Sequence, residues 1–260
     1  MKPMRTLAII PARYASTRFP GKPLALLGGK PVIEWVWECV NKLPMLSNAV
    51  VATDDRRIAD TVEAFGGRAM MTSDQHRSGT DRCGEVLERL EKEGEEYDVV
   101  VNVQGDEPFV QQHQLESLVA CFDTDGTEIA TLKTAIGSKG ELMSANNVKV
   151  VCDRQGRALY FSRQPIPYLR GAAQDEWLQR VKYYKHVGIY AFRAATLKEL
   201  VKLPQTPLEL SESLEQLRWL ENGYGIRVCE TETGNIGIDT PEDLKAAEQY
   251  LANNRSTNKI

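Results

Sequence analysis

Three cations follow the first apolar segment of the chain at a spacing that suits a polyphosphate. Arg13, Arg18 and Lys22 lie in a loop that Pro20 and Gly21 make tight. Arginine binds phosphate oxygens in pairs, whereas lysine supplies a mobile point charge. A solvated basic loop has the same composition, so the residues alone favour phosphate binding and a plain surface loop about equally. The glycine patterns of dinucleotide-binding folds and of P-loop enzymes are absent from this loop.

Two aspartates stand where a carboxylate has few structural uses. Asp106 follows the apolar run Val99–Val103, and Asp239 precedes the last predicted helix. A carboxylate at the end of a buried strand needs a metal ion or a basic partner, and Mg²⁺ takes hard oxygen ligands. The alternatives are a turn at Asp106 after Gly105 and a helix cap at Asp239. From the residues alone, the cap is the better interpretation of Asp239.

Two further segments carry polar side chains that could meet a ligand. The run Ser78–Arg82 contains Gly79, which lets the backbone approach a bound molecule. Ser78 or Thr80 could equally cap the helix that follows. His186 and Tyr190 have even spacing on a predicted strand and therefore share one face. Lone histidines are more often structural, and we expect His76 and His113 to have surface roles only.

The elements that position these residues alternate through the first half of the chain. Short apolar runs predict strands, and longer amphipathic segments predict helices. This alternation predicts an open, mostly parallel α/β sheet, whose ligands bind in loops at the carboxyl ends of the strands. Informative residues should therefore follow Ile10, Thr53, Val103 and Phe161. The predicted strands are Thr6–Ile10, Val50–Thr53, Arg68–Met71 and Val99–Val103, and the predicted helices are Pro31–Leu43, Arg56–Phe65, Asp81–Glu93 and Gln111–Phe122.

The second half is less regular. Residues 153–156 predict a hairpin turn, and residues 165–182 have no clear periodicity. We expect an inserted, partly antiparallel lobe at roughly residues 129–192, and a flexible polar tail at residues 253–260. The predicted strands are Val148–Cys152, Ala158–Phe161, Val187–Phe192 and Ile226–Cys229, and the predicted helices are Leu208–Glu221 and Pro241–Leu251.

Composition narrows the class of protein. The 260 residues are 42% hydrophobic and 26% charged, and the net charge is −4. A core of useful size is possible, whereas general nucleic-acid binding is not expected. No apolar run approaches the ~20 residues that span a bilayer, and the opening segment is too short for a signal peptide. The five scattered cysteines form no C-x-x-C pair, so a reducing cytoplasm fits best.

Seven motifs in order along the chain resemble the 3-deoxy-manno-octulosonate (Kdo) cytidylyltransferases, the CMP-Kdo synthetases of Gram-negative bacteria. The first is the loop segment from Ile9 to Pro23. Because the seven motifs cover nearly the whole chain in register, the resemblance is specific. The other six are residues 76–82 (HRSGTDR), 102–108 (NVQGDEP), 159–163 (LYFSR), 186–190 (HVGIY), 214–218 (LEQLR) and 237–243 (GIDTPED).

The resemblance implies a single domain, residues 1–260, with a nucleotide-diphospho-sugar transferase-like fold. It implies transfer of CMP from CTP to the anomeric hydroxyl of Kdo, with release of pyrophosphate, for lipopolysaccharide biosynthesis. Lys22, Asp106 and Arg13 would be catalytic, and Asp106 and Asp239 would bind Mg²⁺. The implied CTP-binding residues are Arg13, Ser16, Arg18, Lys22, Ser78, Gly79, Thr80 and Arg82.

The resemblance also implies a pocket for the sugar acid and a homodimer formed through the inserted lobe. A bidentate arginine suits the substrate carboxylate, and amide, carboxylate and ring groups suit sugar hydroxyls. The implied residues are Gln104, Arg163, His186, Tyr190, Glu215 and Gln216.

Other functions stay open. A cytidylyltransferase for sialic acid or for 8-amino-Kdo is the nearest alternative, although the segment Tyr14–Pro23 follows the Kdo form. A glycosyltransferase of the same fold would carry an Asp-x-Asp motif, which the segment Gly105-Asp106-Glu107 is not. A non-catalytic sensor of nucleotides would have lost Asp106, Asp239 or Lys22, and all three are present.

Overall fold

A computed structural model describes residues 4–234 and 236–255 of the chain. The chain divides into two compact units, Met1–Leu115 with Asn235–Ile260, and Glu116–Gly234. The first unit begins with β1 (Thr6–Ala12), a 3-10 turn (Lys22–Leu24), β2 (Leu26–Leu27), β3 (Lys30–Pro31), α1 (Val32–Asn41), β4 (Asn48–Thr53), α2 (Arg56–Ala64), β5 (Ala69–Met71), α3 (Gly79–Lys92) and β6 (Val99–Asn102). Helix α4 (Gln112–Ala120) crosses the boundary between the units.

The sheet of the first unit is parallel. Its strand order is β6–β1–β4–β5, and Ile9 of β1 is in register with Asn102 of β6 and Val50 of β4. Every residue of β1 and β6 is buried, as expected of parallel strands covered on both faces. Because the strands run the same way, their carboxyl ends lie at one edge of the sheet.

The second unit is built on a mixed sheet. Its elements are β7 (Ile129–Ala135), α5 (Lys139–Met143), β8 (Lys149–Cys152), β9 (Ala158–Ser162), α6 (Trp177–Arg180), β10 (Tyr184–Arg193), α7 (Ala194–Leu200), α8 (Pro207–Glu212), α9 (Glu215–Glu221) and β11 (Ile226–Glu230). Strand β7 pairs antiparallel with β10 and parallel with β11, and β8 pairs antiparallel with β9 and β10. Helix α10 (Pro241–Arg255) then returns to the first unit.

The predicted fold class, a mostly parallel α/β sheet with a partly antiparallel second lobe, is confirmed. The lobe predicted at residues 129–192 lies inside the wider second unit, and the single-domain organisation stays a prediction. Strand β7 was not predicted. The predicted helix Leu208–Glu221 is wrong, because Ser213, at φ 51°, breaks it into α8 and α9. Helix α10 extends to Arg255, and residues 256–260 of the predicted tail lie outside the described residues.

Candidate active site

Loops at the carboxyl edge of the parallel sheet line one open cavity in the first unit. They follow β1, β5 and β6, and the segment before α10 joins them. Of the four positions at which informative residues were expected, those after Ile10 and Val103 contribute to this cavity, whereas the segments directly after Thr53 and Phe161 do not line it. The predicted site residues that line the cavity are Arg13, Lys22, Ser78, Gly79, Arg82, Gln104, Asp106 and Asp239.

Lys22 joins the two aspartates at the centre of this cavity. Its Nζ donates to Asp106 Oδ2 and, at 2.8 Å, to Asp239 Oδ1. Arg18 Nη2 lies 2.9 Å from the other oxygen of Asp239. Burial would lower the pKa of Lys22, but the charges and hydrogen bonds of Asp106 and Asp239 outweigh it and raise the pKa. Lys22 is therefore a charged ammonium between two carboxylates.

The backbone brings Asp239 to Asp106. Ile238 N donates to the carbonyl oxygen of Asp106 at 2.9 Å, which sets the two side chains next to each other. The cap of α10 is Thr240, since Asp243 N donates to Thr240 Oγ1 at 3.1 Å and Thr240 N donates to Asp243 Oδ2 at 2.8 Å. The interpretation of Asp239 as a plain helix cap is therefore wrong. Burial would raise the pKa of Asp239, yet Lys22 and Arg18 lower it.

The basic loop is held in place by Gly21 and Tyr14. Gly21 has φ 72°, and a Cβ atom there would lie 2.9 Å from Cε2 of the Tyr14 ring. Gly21 N donates to Tyr14 O at 2.9 Å, and the guanidinium carbon of Arg57 lies 3.3 Å from the centre of the Tyr14 ring. Ser16, predicted to bind CTP, accepts a hydrogen bond from Phe19 N at 3.4 Å inside the same loop. These contacts order the segment that carries Lys22.

The amino terminus of α3 forms another wall of the cavity. Ser78 caps the helix by a capping box with Asp81, which confirms the structural interpretation of Ser78 without testing its role in CTP binding. Thr80 and Arg82 are buried. The Arg82 guanidinium lies 2.5 Å from Asp54 Oδ2 and donates to Thr72 Oγ1 at 2.7 Å. Its charge is thus balanced by protein, and its contact with CTP stays a prediction.

Two cavity residues with titratable or charged side chains were missed by the sequence analysis. His76 lines the cavity with its Nε2 2.5 Å from Glu85 Oε2, so its predicted surface role is wrong. Arg77 lines the cavity beside it. Their position directly before the run Ser78–Arg82 could have predicted this, because residues next to a ligand-binding turn also lie near the ligand.

In the second unit, the predicted residue His186 lies on β10 next to β7. Thr131 Oγ1 donates to Ile189 O at 2.8 Å and lies 2.8 Å from His186 Nε2. Burial lowers the pKa of His186 from 6.5 to about 3. The imidazole is therefore neutral, and one of its two ring nitrogens is an acceptor.

Tyr190 has a buried hydroxyl without a hydrogen-bond partner among the described residues. Its ring lies 5.3 Å from that of His186 and 5.0 Å from that of Trp219, measured between ring centres. Burial raises the pKa of Tyr190, and the negative charge of Glu215 raises it further. A neutral, buried and unsatisfied hydroxyl is costly in a folded protein, so this group is suited to a polar ligand.

The other predicted sugar-acid residues of the second unit have different surroundings. Arg163 donates through Nε to Glu212 O at 2.7 Å, through Nη1 to Ala145 O at 3.0 Å and through Nη2 to Ser213 O at 3.3 Å. Glu215 accepts from Arg218 Nη2 at 2.7 Å, and Gln216 is buried. In the first unit, Gln104 Nε2 donates to Asn102 Oδ1 at 3.2 Å. The role of this set in sugar binding stays a prediction.

Few side chains are arranged as ligands for a metal ion. Within the described residues, no group of three or more His, Cys, Asp or Glu side chains is arranged to hold a metal ion. Asp106 and Asp239 nevertheless direct one oxygen each at the same point, which the Lys22 ammonium occupies. Two carboxylates fit Mg²⁺, which usually takes few protein ligands and completes its shell with water and phosphate.

Comparison with known proteins identifies the family. Residues 7–232 match the sequence profile of the family described as cytidylyltransferase. The chain belongs to the cytidylyltransferase family. Relatives named 3-deoxy-manno-octulosonate cytidylyltransferase support this: that of Parabacteroides distasonis is 54% identical, with 96% of this chain and 99% of the relative covered. That of Phocaeicola vulgatus is 57% identical, with 95% and 98% covered.

A solved structure of this cytidylyltransferase family agrees. The structure of CMP:2-keto-3-deoxy-manno-octonic acid synthetase complexed with CTP has a TM-score of 0.88 and 41% identity, with 96% of this chain and 99% of that chain covered. The resemblance drawn from the seven motifs, the fold and the enzyme class are therefore confirmed. No helix among the described residues is long and apolar enough to cross a membrane.

Proposed function

We propose that this cytidylyltransferase transfers CMP from CTP to the anomeric hydroxyl of Kdo, producing CMP-Kdo and pyrophosphate for lipopolysaccharide biosynthesis. The observation that carries the proposal is the joint placement of Lys22, Asp106 and Asp239 in a cavity that Arg13 also lines. This placement supplies both cations and carboxylates where a triphosphate would react. The names of the relatives favour CTP and Kdo as substrates over 8-amino-Kdo or another sugar acid.

In the proposed reaction, the anomeric oxygen of the sugar attacks the α-phosphorus of CTP in line. A new P–O bond forms, the bond to the β-phosphate oxygen breaks, and pyrophosphate leaves. The difficulty is charge, because an anionic sugar acid must approach a triphosphate. Arg13, Arg18 and Lys22 offset that charge, and positioning with electrostatic stabilisation accounts for most of the acceleration in related phosphoryl transfers.

Mg²⁺ is the proposed cofactor, and Asp106 and Asp239 are the residues that would hold it. When bound, it would polarise the α-phosphate and lower the pKa of the attacking hydroxyl. Lys22 would then exchange its two carboxylates for phosphate oxygens. The long, unbranched side chain of lysine suits this exchange, because it carries a point charge that several rotamers can place.

The residues of the second unit that are proposed to bind the sugar acid are Arg163, His186, Tyr190, Glu215 and Gln216. The support is chemical. His186 is a neutral imidazole with an acceptor nitrogen, and the Tyr190 hydroxyl is buried without a partner in the described chain. Both are suited to the hydroxyl groups of a sugar.

A homodimer and a cytoplasmic location complete the proposal. The second unit exposes large apolar side chains, since 62% of Leu159, 60% of Leu210 and 74% of Tyr168 is accessible. Exposed apolar groups of this size are common in contact surfaces between subunits. Sedimentation of the purified protein over a range of concentrations measures the oligomeric state directly.

The decisive experiment follows pyrophosphate release from CTP, Mg²⁺ and Kdo. ATP, GTP and UTP replace CTP in parallel, and sialic acid and 8-amino-Kdo replace Kdo. We expect release that needs both CTP and Kdo and that stops with EDTA. Release with another sugar acid alone would change the substrate and keep the nucleotide chemistry. CTP binding without release for any acid would contradict the enzyme proposal and favour a nucleotide sensor.

A further inference from the structure

The cations that line the cavity differ in how far protein carboxylates balance them. Lys22 is paired with Asp106 and Asp239, and Arg82 is paired with Asp54. Within residues 4–234 and 236–255, the guanidinium groups of Arg13 and Arg77 form no hydrogen bond or ion pair. Two unpaired cations therefore face this cavity from separate loops. Arg13 belongs to the phosphate-binding set that the sequence predicts, and Arg77 does not.

The backbone that carries Arg77 is fixed on both sides. Ser73 N donates to Glu85 Oε2 at 2.9 Å, and the His76 ring contacts the same oxygen at 2.5 Å. On the other side, Arg77 N and Ser78 N donate to Asp81 Oδ2 at 3.3 and 3.1 Å. The turn is thus ordered by its own contacts, whereas Arg77 is an exposed residue whose guanidinium forms no hydrogen bond or ion pair in the described chain. A pre-ordered backbone lowers the entropy lost when such a side chain binds a ligand.

We propose that Arg77 is a further phosphate-binding residue of this site, which contacts the triphosphate of the nucleotide together with Arg13. The inference rests on the proposed function, since it takes the nucleotide of that proposal as its ligand. A triphosphate brings several negative charges into a cavity that already contains Asp106 and Asp239. Lys22 cannot balance all of them, so unpaired guanidinium groups are needed beside it.

A phosphate fits Arg77 better than the base or the ribose does. Its planar guanidinium can donate two parallel hydrogen bonds to phosphate oxygens. The adjoining residues Ser78 and Gly79 also line the cavity. An arginine that bound cytosine would depend on the geometry of its N–H donors more than on its charge.

The test measures equilibrium binding by calorimetry with Mg²⁺ and without sugar acid. The ligands are CTP, cytidine and inorganic tripolyphosphate, and the proteins are the wild type, Arg77→Gln, Arg77→Lys and a control, Arg154→Gln. Arg154 is an exposed arginine in the β8–β9 turn, in the other unit. Because the Arg77 head group has no partner in the described chain, thermal unfolding should be the same for all four proteins.

We expect Arg77→Gln to bind CTP and tripolyphosphate about tenfold more weakly, the effect of one partly exposed charge-assisted contact. Cytidine binding should not change, Arg77→Lys should regain most of the loss, and Arg154→Gln should match the wild type. Equal affinity of Arg77→Gln and wild type for both polyphosphates would overturn the assignment.

Two other outcomes separate this inference from the proposed function. An equal loss for cytidine and CTP, without rescue by lysine, would assign Arg77 to the nucleoside and overturn the phosphate contact. The expected pattern together with no pyrophosphate release in the Kdo assay would uphold Arg77 as a phosphate ligand, while the proposed reaction would fail.

Discussion

Lys22 Nζ lies 2.8 Å from Asp239 Oδ1, and the same ammonium donates to Asp106. The lysine thereby occupies the point at which the two carboxylates could share a cation. Only 12% of the Lys22 side chain is exposed, against 24% of Asp106 and 47% of Asp239. Because the ammonium pairs with both carboxylates, and Arg18 pairs with Asp239 as well, a divalent cation must compete with Lys22 until phosphate oxygens bind the lysine.

The first prediction concerns this competition. Lys22→Gln removes the ammonium, which leaves Asp106 without its cation and Asp239 with Arg18 alone. We expect Mn²⁺, as a spectroscopic substitute for Mg²⁺, to bind about tenfold more tightly without nucleotide, because the competing charge has gone. Turnover with CTP should fall, since the phosphates lose a cation. Electron paramagnetic resonance measures the metal, and Lys92→Gln, on the exposed face of α3, is the control. Unchanged Mn²⁺ affinity would mean that Lys22 does not occupy the metal position.

Asp106→Asn should stop turnover and leave the fold intact. The amide is nearly the same size as the carboxylate but removes the charge that holds Lys22 and that Mg²⁺ would need. We expect pyrophosphate release to fall about 10³-fold, the scale for loss of one main electrostatic group. Circular dichroism checks the fold, and Asp125→Asn, in an exposed turn of the second unit, is the matched control. Near-normal turnover in a folded variant would refute the metal assignment.

Gly21→Ala should damage the basic loop in particular. An alanine at φ 72° is strained by about 1–2 kcal/mol, and its Cβ would also meet the Tyr14 ring. Gly94→Ala is the natural comparison, because Gly94 has φ 87° and nothing within 4 Å of the added Cβ. Chemical denaturation should show a loss of unfolding free energy in both variants. Only Gly21→Ala should also raise KM for CTP, and a similar KM for both would place the loop outside the nucleotide site.

The rule that ligands bind at the carboxyl ends of parallel strands predicted more of the cavity than any other sequence pattern. Strand polarity alone places the loops after β1 and β6 at one edge, and these loops do line the cavity. Local sequence patterns do not show that Asp106 lies beside Asp239, because a hydrogen bond between distant backbone segments places them together. Local pattern does not distinguish Asp239 from the neighbouring Thr240 as the cap of α10, whereas the contacts of Thr240 do.

Tertiary contacts explain what the sequence could not show. Residues Leu208–Glu221 have helical character throughout, yet Glu212 accepts from Ser162 Oγ at 2.6 Å and from Arg163 N at 2.9 Å. The chain turns at Ser213 to meet these partners. Arg163, expected to bind a substrate carboxylate, directs its guanidinium at backbone carbonyl groups of the same region. Strand β7 contains Thr131, Lys133 and Thr134, whose polarity hides a strand that long-range pairing with β10 stabilises.

The last prediction concerns the pH dependence of stability through His186. Its pKa is about 3 in the folded protein and close to 6.5 when unfolded. Between these values the unfolded chain binds a proton that the folded protein does not, so the free energy of unfolding falls as the pH is lowered through this range. The loss from this residue should be about 2 kcal/mol between pH 7 and pH 5.

His186→Gln removes the titrating ring and keeps a side-chain nitrogen near Thr131. Chemical denaturation at a series of pH values should therefore show a shallower loss of stability on acidification than in the wild type. His113→Gln, on α4 at an exposed residue, is the matched histidine substitution. If the slopes of wild type and His186→Gln are equal, the imidazole gains its proton at the same pH in the folded and the unfolded protein, and burial does not keep it neutral on acidification.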